Sequence, residues 1–100
     1  MPLLHVHLQD GFVGEPVVIR LAGRTLSEKS HVRTRPQLGL AENFELDLPA
    51  GHHTLEVTLP ERDQTDTIPL DLDRELHLGI TIDPDGSLRH RTSEGTFGYL

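Results

Sequence analysis

The sequence contains no cysteine and no tryptophan, and aromatic residues make up only 4% of its 100 positions. Without thiolates there can be no disulfide framework, cysteine nucleophile, sulfur-ligated zinc finger or iron–sulfur cluster. Any metal centre has to be built from histidine and carboxylate, and zinc is the cofactor to weigh against none. Basic residues are also scarce, with 9 Lys plus Arg against 16 Asp plus Glu and a formal charge of −7. Nucleic-acid affinity depends on Lys and Arg displacing condensed counterions, so DNA and RNA are not expected as partners. Apolar runs are only a few residues long, far below the roughly 20 that a membrane-spanning helix needs. The start, Met1 to His7, lacks the charged and apolar regions of a secretory signal, which makes the cytoplasm the expected location. A chain of this length supports one modest core, so residues 1–100 are expected to form a single domain.

What is present is alternation. Leu4, Val6 and Leu8 alternate with His5, His7 and Gln9, the period of two that sends successive side chains to opposite faces of a strand. The pattern returns at Val17, Ile19 and Leu21 after Asp10-Gly11 and Gly14-Glu15-Pro16, which read as turns. Phe44, Leu46 and Leu48, then Leu55, Val57 and Leu59, alternate on either side of Pro49-Ala50-Gly51 and read as a hairpin. Ile68, Leu70 and Leu72 enclose Pro69, which cannot donate to a ladder and so marks an edge strand. Leu76, Leu78, Ile80 and Ile82 give the strongest strand signal, and Asp83-Pro84-Asp85-Gly86 is a turn from which residues 87–92 return. Residues 24–38, with Leu26 and Val32 as nearly their only apolar anchors, read as a polar edge strand or a long loop. No segment carries a helical period, so little or no helix is expected. About seven short strands at turn-separated intervals predict an all-β, antiparallel β-sandwich.

The run Gly14-Glu15-Pro16-Val17-Val18-Ile19-Arg20-Leu21-Ala22-Gly23, followed by Phe44-Glu45-Leu46-Asp47-Leu48-Pro49-Ala50-Gly51 and a further strand, resembles carboxypeptidase regulatory-like, transthyretin-like and Cna-B-like modules. The resemblance spans about residues 4–72. It implies a Greek-key sandwich of the transthyretin (prealbumin) type and an accessory module that binds, spaces or stabilises. The transthyretin-like hydroxyisourate hydrolases also open with a histidine-bearing strand and use His and Arg to activate water. Their C-terminal Tyr-Arg-Gly-Ser motif is absent from this chain, which ends Phe97-Gly98-Tyr99-Leu100. The expected function is therefore non-catalytic, exercised through a protein partner or through self-association as a homodimer.

Two sets of residues carry candidate chemistry. Arg20, Arg24, Lys29, Arg33 and Arg35 stand against Glu28 alone, while residues 36–85 hold 12 acids against Arg62 and Arg74. This lopsided charge makes Arg24, Lys29, Arg33 and Arg35 a basic ridge for an anionic ligand or for the acidic face of a second copy. Phe97 and Tyr99 are the candidate docking residues of the tail. The alternative centres on His5, His7 and His77, all in the polar phase of their strands. Three imidazoles on neighbouring strands make an open zinc site, for metal binding or a small hydrolase, provided the first strand and the strand at residues 76–82 are adjacent. His52-His53 is expected on a turn, with His53 as a hydrogen-bonded rim residue. Neither a Gly-x-Ser-x-Gly elbow nor a phosphate-binding glycine loop occurs.

Overall fold

The computed structural model of the chain describes residues 2–35, 37 and 39–94. Eight strands follow one another: β1 (Leu3–Leu8), β2 (Val13–Leu21), β3 (Arg24–Arg33), β4 (Glu42–Asp47), β5 (Gly51–Leu59), β6 (Gln64–Leu72), β7 (Leu76–Ile82) and β8 (Leu88–Ser93). One 3₁₀ turn, Pro60–Arg62, joins β5 to β6, and no α-helix occurs among the described residues. The first sheet has the order β4-β1-β7-β8 and the second β3-β2-β5-β6. Their inner faces close over Leu4, Val6, Leu8, Val17, Ile19, Leu55, Val57, Leu59, Ile68, Leu78 and Ile80, all almost fully buried. These are the alternating apolar positions of each strand, because a sheet facing solvent on one side sorts its residues with a period of two.

Three expectations change in the structure, and one left open is resolved. The ambiguous stretch after residue 24 is a ten-residue edge strand, which raises the count to eight. Its only buried side chain is Val32, so the segment carries almost no apolar signal. Gly14-Glu15-Pro16 is not a turn; it lies inside β2, where the register against β3 shifts on both sides of Glu15. Pro16 cannot donate to a ladder, and an irregularity in the pairing accommodates it. The segments around Phe44–Leu48 and Leu55–Leu59 are not a hairpin. β4 pairs with β1 in the first sheet and β5 with β2 and β6 in the second. Alternation says which face of a strand is buried but not which sheet it joins, and Leu48, buried at the corner, anchors the crossing. Finally, the sandwich is not antiparallel throughout, since β1 and β7 run parallel, Leu4 opposite Leu76 through Leu8 opposite Ile80.

The remaining turns follow their residues. Gly11 (φ 94°) closes the β1–β2 connection so tightly that a Cβ there would lie 2.0 Å from the Ile82 carbonyl oxygen. The β7–β8 hairpin is confirmed, with Ile82 opposite Leu88, and Ser87 N donates to Asp85 Oδ1 at its turn. Pro69 lies in β6, which is an edge strand as its proline required.

Candidate functional site

The in-register parallel pairing of β1 with β7 sets His5 directly opposite His77 and His7 opposite Gly79 on the outer face of the first sheet. The adjacency that a histidine site requires is therefore present. The His5 and His77 rings stack with centroids 4.3 Å apart and planes 9° apart. His7 Nε2 lies 3.1 Å from His77 Nδ1, in a buried hydrogen bond. His7 and His77 are 5% and 8% exposed, so the face expected to be wet is closed over both rings. Burial, and then the neighbouring His77 and His5, hold the His7 imidazole below its ordinary range. Gly79 supplies the room: a Cβ there would meet the Gln9 side chain, whose Oε1 would be 2.7 Å away.

Sequence reasoning missed Glu75, which stands two residues before His77 and so shares its phase. Its Oε2 lies 3.0 Å from His5 Nε2. The contact with His5, more than any other influence, holds the exposed Glu75 carboxyl below its usual range. One donor atom each from His5, Glu75 and His77 lies within 4.8 Å of the others. His7, expected as a third ligand, instead binds the ring of His77. His52 and His53 lie on β5 rather than on a turn; His52 meets Asp71 at 2.9 Å, and His53, as expected, is held by the Pro49 carbonyl at 2.7 Å.

The basic ridge lies on β3, the outer strand of the second sheet. Arg24, Lys29 and Arg33 are exposed, and Arg33 donates to the Val13 carbonyl at 3.1 Å. Arg35 follows in an isolated bridge to Leu40. The connection at residues 34–41 leads straight to β4, the outer strand of the first sheet, so both strands border the same side of the sandwich. A hollow of about 390 Å³ between them is lined by Arg33, Arg35 and Glu42. β4 carries Glu42, Glu45 and Asp47. Among the described residues, Arg24, Lys29 and Arg35 on one side and these three acids on the other form no ion pair. Phe44 and Leu46 of β4 are only half-buried against the core, and Leu26 of β3 is half-buried as well. Phe97 and Tyr99 lie outside the described residues.

No family model, curated protein or solved structure matches the chain. No helix among the described residues is long and apolar enough to cross a membrane.

Proposed function

We propose that the chain is a cytoplasmic, non-catalytic β-sandwich module of the transthyretin-like, Greek-key type that works by pairing with a second copy of itself along the β3/β4 side. The way the chain alternates between sheets supports the fold assignment: β1 in the first, β2 and β3 in the second, β4 in the first, β5 and β6 in the second, β7 and β8 in the first. The observation that carries the function is one side of the sandwich with two open strands of opposite charge. Rotating a second copy by a half-turn about the strand direction lays β3 of each against β4 of the other. Each basic strand then meets an acidic one, and both contacts are the same by symmetry. Such pairing would satisfy the outward backbone groups that an edge strand leaves open, and it would cover Phe44, Leu46 and Leu26.

Sedimentation of the untagged chain at low and high salt tests this. At low salt the chain is expected to sediment as a dimer, and salt is expected to dissociate it. Reversing charge on β3 (Arg24→Glu with Lys29→Glu) or on β4 (Glu42→Lys with Asp47→Lys) should each give a monomer. An equimolar mixture of the two variants should restore the dimer, because each reversed strand then finds its complement. A monomer at every salt concentration, or a dimer indifferent to both reversals, overturns the reading.

A further inference from the structure

We infer that His5, Glu75 and His77 form a binding site for a zinc-class divalent ion on the outer face of the first sheet, distinct from the β3/β4 side. Three observations lead to it. The parallel register brings two imidazoles from residues far apart in sequence face to face at 4.3 Å. A carboxylate in phase with His77 reaches the same point, its Oε2 3.0 Å from His5 Nε2, an atom shut from solvent. His7 then holds the His77 ring through Nδ1 at 3.1 Å, the arrangement by which an outer residue fixes the orientation of a ligating imidazole.

The donor set selects the ion. Two nitrogens and one carboxylate oxygen suit zinc and its first-row neighbours, whereas magnesium and calcium require shells of oxygen. Donors around a tetrahedral zinc at about 2.0–2.1 Å lie about 3.4 Å apart, so the present spread of up to 4.8 Å has to shrink by up to about 1.4 Å. The His5 ring also has to turn about its Cβ–Cγ bond to bring its lone pair toward the donor atoms of His77 and Glu75. His5 and Glu75, at 21% and 56% side-chain exposure, have the freedom to do so. His77 is the buried, fixed ligand, and the fourth position is left to water.

The test uses the untagged 100-residue chain, titrated with Zn²⁺ against a chromophoric chelator, with Co²⁺ as the spectroscopic probe and Mg²⁺ as the control. One ion per chain is expected, with Co²⁺ absorption of tetrahedral type and imidazole NMR shifts at both His5 and His77. His5→Ala and Glu75→Gln should each weaken Zn²⁺ binding at least about tenfold, and His7→Ala by about 10–100-fold, as loss of an outer-shell partner does. His52→Ala and His53→Ala should leave it unchanged. Glu75→Gln alters an exposed residue and keeps the test decisive if a histidine variant fails to fold. Affinity indifferent to His5 and Glu75, or lost with His52 or His53, or matched by Mg²⁺, overturns the inference. The Arg24→Glu/Lys29→Glu variant should bind Zn²⁺ normally, which separates this site from the dimer.

Discussion

At the β6/β8 side of the sandwich the two sheets are fastened to each other. His90 of β8 reaches across to Asp66 of β6 at 2.7 Å, the Gln64 side chain spans to Gly86 and Leu88 of the hairpin, and Pro69 interrupts the outer ladder. At the β3/β4 side the Thr34 hydroxyl, directly after β3, donates to the Gln9 carbonyl beyond β1 at 2.6 Å, but the acids of β4 form no ion pair with the cations of β3 among the described residues, and the half-buried apolar residues belong to the edge itself. One core thus ends in a self-satisfied border and in a border with unspent charge and uncovered carbon. Natural sheets blunt the edges they keep to themselves. The charges of β3 keep its edge from pairing at random, and their lack of partners within the molecule is the feature on which the proposed association with an acidic strand rests.

Core truncations on the two sides should break this comparison most strongly. Ile68→Ala on β6 removes a side chain only 1% exposed and should cost about 2–5 kcal/mol in urea unfolding at any protein concentration. Phe44→Ala on β4 should cost the monomer less than its size suggests, and its penalty should grow with protein concentration as the dimer is lost. Equal and concentration-independent losses would place Phe44 in an ordinary core and close the open side. Next in size is Arg62→Ala. Arg62 from the 3₁₀ turn pairs with Glu15, whose side chain is 7% exposed, and removing it strands a buried carboxylate. We expect about 1–3 kcal/mol, read by thermal unfolding, with Glu15→Gln in the same background recovering part of it.

His90→Ala or Asp66→Asn should cost about 0.5–1 kcal/mol, the range of a partly exposed pair, and should leave the oligomeric state untouched. A change in association there would mean that the wrong side has been assigned. The smallest effect belongs to Asp85. The Ser87 amide and hydroxyl hold its carboxyl below the ordinary value of 3.8. A depressed carboxylate adds stability above its unfolded pKa and loses it as pH falls through the lower folded one. Asp85→Asn should therefore lower stability slightly at neutral pH, with the difference from the parent chain fading as pH falls below about 4, as acid titration of the melting temperature would show.

Much of this architecture could be read directly. Each apolar alternation became a strand with the predicted face inward, and Pro69 marked its edge. What could not be read was pairing. Periodicity assigns a side chain to a face, but the sheet that β4 joins, and the parallel contact of β1 with β7, depend on contacts between distant segments. β3 was ambiguous because an outer strand with one buried residue needs no apolar pattern. The histidine cluster was half legible: the shared phase of His5, His7 and His77 was visible, whereas the burial of His7 and His77 depends on what covers the sheet. Glu75 carried a usable signal, its spacing of two from His77, that went unread because it precedes the strand.

The parallel contact also sets an order of events when the chain folds. β1 is the first strand to be made, yet the neighbour that places it in the sheet interior is β7; the His7–His77 hydrogen bond spans 70 residues. The β2–β3 and β5–β6 ladders close locally and can form while the chain is still short. β1 must wait until β7 is available, so the first sheet is completed last and at the cost of a large loop. Refolding is accordingly expected on the millisecond-to-second scale typical of all-β topologies, with the second sheet gaining amide protection before the first.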